Sequence, residues 1–220
     1  MGDIMKDKAW VQAAIDVEDM DVAKRIAWMA LDNGAEWLEV GTPLLYKFGY
    51  SAISEIRKAV GQEPILVADF KCPYAGLVAE NSAKHGANYV LLSAGYNDAL
   101  IHHGLDECKK WGIKPIFDLH INPHDVTKRA LHLANMGVEY IFSHHYSEYL
   151  DEDGVIRKYD TLKQILDAGT SMNIGITSDD FEEAKDAVKS GADWMIFGVV
   201  LRKPSVQSCR EWINMLHESR

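Results

Sequence analysis

The chain is short of cysteine, of long apolar runs and of positive charge. Only Cys72, Cys108 and Cys209 occur, in no CxxC pair and at no ligand-like spacing. That argues against a disulfide framework or a thiolate zinc site and fits a cytoplasmic, reducing location. No run of 18 apolar residues exists, and Met1–Lys8 mixes Asp3 and Asp7 with Lys6 and Lys8 in place of an apolar leader core. With 23 basic against 33 acidic residues the formal charge is −10. Non-specific binding to nucleic acid or to an anionic membrane is therefore not expected, while a local phosphate pocket stays compatible. Linkers, low-complexity tracts and charge blocks are missing too, so residues 1–220 are expected to make a single domain.

What the chain does have is a 47% hydrophobic composition gathered into eight short runs. They lie at Val11–Asp16, Trp37–Gly41, Ile65–Asp69, Tyr89–Leu92, Pro115–Leu119, Tyr140–Ser143, Met172–Gly175 and Trp194–Gly198. A start-to-start spacing of about 25 residues suits a five-residue strand, a helix and two short loops. The segments between read as amphipathic helices over Glu18–Asn33, Ser51–Val60, Tyr74–His85, Asn97–Trp111, Pro123–Asn135, Asp160–Asp167, Ser178–Ser190 and Ser205–Ser219. Four strand entries share a glycine, a small apolar residue and a polar one: Gly34-Ala35-Glu36, Gly86-Ala87-Asn88, Gly137-Val138-Glu139 and Gly191-Ala192-Asp193. Each predicts the same joint, a left-handed helix cap feeding a buried strand.

Eight βα units close best as a (β/α)8 TIM barrel. The competing doubly wound sheet offers a Gly-rich first turn, which the sequence after Asp16 lacks. The longest connection, between Ser143 and Met172, predicts an irregular excursion over Glu148–Tyr159, a candidate lid. The six tryptophans are scattered without basic interleaving, which predicts core and helix-packing roles.

In such a barrel the working residues sit at the C-terminal ends of strands. Those positions hold Asp16, Glu39, Asp69, Lys71, Ser93, Asp118, His120, His144, His145, Gly175, Thr177 and Gly198. In Ile65-Leu66-Val67-Ala68-Asp69-Phe70-Lys71, extended geometry would project Asp69 and Lys71 together, either as an ion pair or as a proton-handling pair. Glu39 and Asp69 are candidate ligands for a hard cation, Mg²⁺ or Mn²⁺, able to polarise a carbonyl and stabilise an enediolate. Lys71, held between carboxylates, would stay charged and act by proton delivery or electrostatics and not as a Schiff base. Asp16 would orient Lys71, or else cap a helix. Asn173-Ile174-Gly175-Ile176-Thr177-Ser178 and Phe197-Gly198-Val199-Val200 occupy the usual place of a barrel phosphate cradle, with Arg202 and Lys203 nearby. Thr177 or Ser178 is alternatively the N-cap of the next helix. His144 is a candidate functional residue, His102 and His103 are expected to be solvated, and a zinc site from His120, His124 and His144 is a further alternative.

Asp16, Glu39-Val40-Gly41-Thr42-Pro43 and Asp69-Phe70-Lys71 together resemble the orotidine 5′-phosphate decarboxylase suprafamily. The nearer likeness is to its 3-keto-L-gulonate 6-phosphate decarboxylase and 3-hexulose-6-phosphate synthase branch. The resemblance implies a homodimeric, Mg²⁺-dependent barrel acting on a sugar phosphate through an enediolate. It implies Glu39 and Asp69 as metal ligands, Asp16 and Lys71 in the polar network, and Asp118 as the strand-five acid. His144 would be a proton donor or orienter, and Gly175 and Gly198 would offer phosphate-binding amides. Three places depart from the pattern. The second aspartate of Asp-x-Lys-x-x-Asp is Tyr74, no arginine follows in His144-His145-Tyr146-Ser147, and the Gly-Gly and Gly-Arg signatures read Gly175-Ile176 and Gly198-Val199. The expectation is accordingly a carbon–carbon lyase, decarboxylase or aldolase, of unassigned substrate. An isomerase or epimerase on a related ligand and a non-catalytic binding barrel are the alternatives.

Overall fold

The eight apolar runs become eight parallel strands that close on themselves. The computed structural model describes residues 8–119, 126–143, 158–178, 180–198 and 206–219. The strands are β1 (Trp10–Ile15), β2 (Trp37–Val40), β3 (Ile65–Asp69), β4 (Tyr89–Ser93), β5 (Lys114–Asp118), β6 (Tyr140–Ser143), β7 (Asn173–Thr177) and β8 (Trp194–Phe197). Each pairs with the next and β8 returns to β1, so no edge is left open. The doubly wound alternative is thereby removed. Around the sheet run α1 (Met20–Asp32), α2 (Thr42–Phe48), α3 (Ser51–Val60), α4 (Ala75–Lys84) and α5 (Asp98–Trp111). They are followed by α6 (Val126–Asn135), α7 (Lys158–Asp167), α8 (Phe181–Lys189) and α9 (Val206–Glu218). None of these helices is long and apolar enough to cross a membrane. Most of the excursion expected at Glu148–Tyr159 lies outside the described residues, and α7 begins at Lys158.

The repeated joint has the expected form. Gly34, Gly86, Gly137 and Gly191 have φ of +105°, +98°, +86° and +107°. At each, the glycine N–H donates three residues back and the next N–H five residues back. Gly34 thus bonds Leu31 and Ala35 bonds Ala30, as Gly191 bonds Val188 and Ala192 bonds Ala187. These are Schellman closures, which satisfy the last helical carbonyls. The polar third residue has a role of its own. Glu36 Oε2 accepts from the Val11 N–H at 3.0 Å, Asn88 Oδ1 from Leu66 at 2.8 Å and Asp193 Oδ2 from Ile174 at 2.9 Å. Each side chain ties the base of its own strand to the strand before it.

Inward side chains stack in layers of four drawn from alternate strands, as strand register in such barrels requires. Near the N-terminal end, Trp37, Tyr89, Tyr140 and Trp194 form an aromatic ring. Centroid separations of 4.7, 5.3, 6.3 and 5.7 Å run Trp37–Tyr89–Tyr140–Trp194–Trp37 and close it. Above it come Gln12, Val67, Ile116 and Gly175, then Glu39, Leu91, Phe142 and Ile196, then Ala14, Asp69, Asp118 and Thr177. The apolar members of these layers pack as one cluster, distinct from the larger core between sheet and helices.

Candidate functional site

Polarity rises along the barrel axis. Gln12 is the polar member of the second layer and Glu39 of the third, while Asp69, Asp118 and Thr177 occupy the fourth. Gln12, Glu39, Asp69 and Asp118 are all buried. Charges this deep need partners, because burial without compensation costs several kcal/mol per ion. Gln12 Nε2 donates to Glu39 Oε2, and Lys71 Nζ donates to Asp69 Oδ2. Thr42 Oγ1 donates to the same Asp69 Oδ2 at 2.8 Å. Asp69 Oδ1 is buried with no hydrogen-bond partner.

Lys71 reaches Asp69 by a route that strand periodicity does not describe. β3 ends at Asp69, and Lys71 has φ +48°, a left-handed conformation that costs a residue with a Cβ about 1 kcal/mol. Its N–H still bonds Leu91 O at 2.9 Å. The turn folds the side chain back over the strand end, so the expected pair forms without the expected pleat.

The electrostatics follow from crowding. Burial pushes the Glu39 carboxyl well above the usual glutamate range; the Asp69 and Asp16 charges push further, against the pull of Lys71 and the Gln12 amide. Burial alone would lower the proton affinity of Lys71, but Asp69, Glu39 and Asp118 outweigh it and hold the ammonium above its ordinary value. Lys71 is thus a firmly protonated cation facing three acids. Asp16, just beyond β1, adds its charge at Glu39. Its carboxylate sits in a slot between two glycines, where a Cβ on Gly41 would lie 2.1 Å from Oδ1 and one on Gly198 3.3 Å from Oδ2.

The phosphate candidates separate. Gly175 lies inside the parallel ladder opposite Phe142 and Trp194, and a Cβ there would meet the Trp194 indole at 2.1 Å. Its lack of a side chain thus has a packing reason at the aromatic ring. Thr177 ends β7 with a buried Oγ1 that has no hydrogen-bond partner. The expected N-cap at Thr177 or Ser178 moves to Asp180, whose carboxylate accepts from Glu183 N–H at 3.0 Å. Ser178 instead donates to Glu183 Oε2 at 2.7 Å. His102 and His103 are exposed on α5 as expected. His120, His124, His144, His145, Val199, Arg202 and Lys203 lie outside the described residues. Gln12 and Thr42 also enter the site: Gln12 is not among the expected site residues, and Thr42 stands in the Glu39-Val40-Gly41-Thr42-Pro43 motif with no role of its own. Thr42 had a signal, since it follows the strand-two acid by three residues.

A hard cation of the kind expected needs only one or two carboxylates, with water or substrate oxygens completing its shell. Among the described residues no group of three or more His, Cys, Asp or Glu side chains is placed to hold a metal alone. The unpartnered Asp69 Oδ1 and the proton-hungry Glu39 are nevertheless a donor set that fits such an ion.

The molecule is a (β/α)8 barrel with a buried acid–lysine cluster at the C-terminal ends of its strands. Residues 10–198 match the orotidine 5′-phosphate decarboxylase / HUMPS family, and the chain belongs to that family. It is 28% identical over 218 residues to a bifunctional enzyme Fae/Hps of Methanosphaerula palustris, covering 96% of this chain and 54% of that one. The chain therefore spans about half the length of such bifunctional relatives. It is 27% identical over 191 residues to the 3-hexulose-6-phosphate synthase of Bacillus subtilis, covering 86% of this chain and 88% of the relative. The crystal structure of 3-hexulose-6-phosphate synthase from Salmonella typhimurium superposes with a TM-score of 0.84 at 20% identity, covering 96% of this chain and all of the other. The 3-keto-L-gulonate-6-phosphate decarboxylase of Vibrio cholerae gives a TM-score of 0.80 at 19% identity, covering 96% and 97%. The family and branch read from the motifs are thus among those found.

Proposed function

We propose that this chain is a metal-assisted carbon–carbon lyase acting on a keto-sugar phosphate through an enediolate. The observation that carries the reading is the buried cluster of Glu39, Asp69, Asp118 and Lys71 at the barrel mouth. The names borne by its relatives support the substrate class. Glu39 and Asp69 would hold Mg²⁺ or Mn²⁺, which when bound supplies Lewis-acid polarisation of the substrate carbonyl. Loss of CO₂ from a carboxylate, or of formaldehyde from a hydroxymethyl group whose O–H proton passes to one of the site carboxylates, leaves the same electron pair on the carbon beside that carbonyl, and this carbon must then be protonated. Lys71 Nζ is a proton carrier and fixed positive charge at the right end of the barrel, with Asp118 and Asp69 keeping it charged. Asp16 is assigned to a substrate hydroxyl, and Thr177 with Gly198 to the phosphate end, because the Thr177 hydroxyl is buried and unsatisfied. Tyr74 is 71% exposed and so does not fill the mouth of its own barrel.

The metal half of the proposal is read by titrating Mn²⁺ into the protein and into Asp69→Ala. Binding is expected in the first and not in the second. Equal binding by both, or none by the wild type even with a keto-sugar phosphate present, rules the ligand set out.

The same reading includes a homodimer. Tyr74 and Leu77 are 71% and 60% exposed at the start of α4, an apolar pair that a second copy would cover. Sedimentation at micromolar concentration should give the dimer mass, and Leu77→Asp should shift it towards the monomer. A monomeric wild type rejects this part.

A further inference from the structure

Glu39 lies one layer deeper than the other acids, surrounded in its own layer by Leu91, Phe142 and Ile196. A carboxylate in such company has few ways to be held in one rotamer. Beneath it, the second layer contains Val67, Ile116 and Gly175, and one residue able to donate a hydrogen bond from its side chain, Gln12. Gln12 is 2% exposed, and its Nε2 donates to Glu39 Oε2. Its own Oε1 is buried without a hydrogen-bond partner, so the amide leaves an acceptor unsatisfied in order to face Glu39. With Glu39 ionised, as a metal ligand must be, an amide turned the other way would set oxygen against oxygen. An unsatisfied buried acceptor is costly, and an apolar residue of similar shape would avoid that cost. Core packing therefore gives no reason for a glutamine here; the carboxylate above it does.

We propose that Gln12 is a positioning residue that locks Glu39 from below and so presents it to the divalent cation. This rests on the reading of Glu39 and Asp69 as metal ligands. A partner one shell out from a metal typically changes affinity ~10–100-fold when removed. Gln12→Met keeps the shape and deletes the donor. Mn²⁺ binding to wild type and Gln12→Met, followed by electron paramagnetic resonance at a temperature where both are fully folded, should show the variant binding ~10-fold or more weakly with a broadened bound spectrum. A crystal structure of the variant should show Glu39 displaced or in several rotamers. If wild type and variant bind Mn²⁺ equally, the positioning role fails and the metal reading stands. If the wild type binds none, the metal reading fails and takes presentation to a cation with it. Glu39 keeping its wild-type rotamer in the variant crystal overturns the lock regardless of metal. Should Gln12→Met fold poorly, Gln12→Leu serves as the second donorless variant, judged by the same two readouts.

Discussion

Lys71→Ala is expected to lower turnover by ~10²-fold or more, the usual scale for losing a positioned proton-transfer or charge-stabilising group. The replaced ammonium is the cation that faces Asp69, Glu39 and Asp118. Without it these acids repel one another, and the cluster must take up a proton to remain buried. Some stability is therefore lost as well, so the comparison belongs at a temperature where the variant is fully folded. A purely structural ion pair predicts the opposite division, with stability reduced and turnover per folded molecule unchanged. Lys71→Arg keeps the charge but gives up a readily transferred proton, so it should recover stability and little turnover. The raised proton affinity of Lys71 also argues against covalent chemistry, because a Schiff base starts from a neutral amine. Borohydride should leave no substrate carbon on Lys71. A trapped adduct would replace the enediolate account with a covalent one.

Gly175→Ala is expected to destabilise the barrel strongly. The new methyl would lie 2.1 Å from the Trp194 ring, and that ring is wedged against Trp37 and Tyr140 within the aromatic layer. Overpacking of a dense core costs typically ~1–3 kcal/mol, and here the obstacle is a rigid, buried indole packed against two other rings. Urea unfolding should show the loss as a lower midpoint at similar slope. Trp194→Phe in the same chain should recover part of it by shrinking the ring. If Gly175 served mainly as a phosphate-binding amide, the alanine variant would keep its stability and lose substrate affinity instead. The two outcomes separate a packing glycine from a ligand-binding one.

Much of this architecture was legible in the sequence because each of its signals is local. Apolar runs bounded by glycine mark strands buried on both faces, and the four Gly-apolar-polar joints mark where helices stop. Shifts of one or two residues at strand ends, as at β1 and β7, come from loops that carry no periodic signal. The helix α2 was not expected: seven residues between Gly41 and Gly49 are too few to show an amphipathic stripe, and only Pro43 hinted at a helix start. That Glu39, Asp69 and Lys71 gather at one end of the barrel follows from types and spacing, whereas the left-handed turn at Lys71 does not, since nothing in Phe70-Lys71-Cys72 announces a positive φ. Gln12 carries no signal of its own, because a lone amide inside an apolar strand gains its meaning only from the layer above it, which strand register alone reveals.

The most direct test of the enediolate claim is solvent deuterium exchange. A ketopentose phosphate incubated with the protein and Mg²⁺ in D₂O, and followed by proton magnetic resonance, should lose the hydrogen on the carbon beside its carbonyl to solvent. That exchange should be stereospecific and should vanish with a chelator or with Asp69→Ala. Failure of every keto-sugar phosphate to exchange, or exchange that persists unchanged in both Asp69→Ala and Lys71→Ala, would contradict the account.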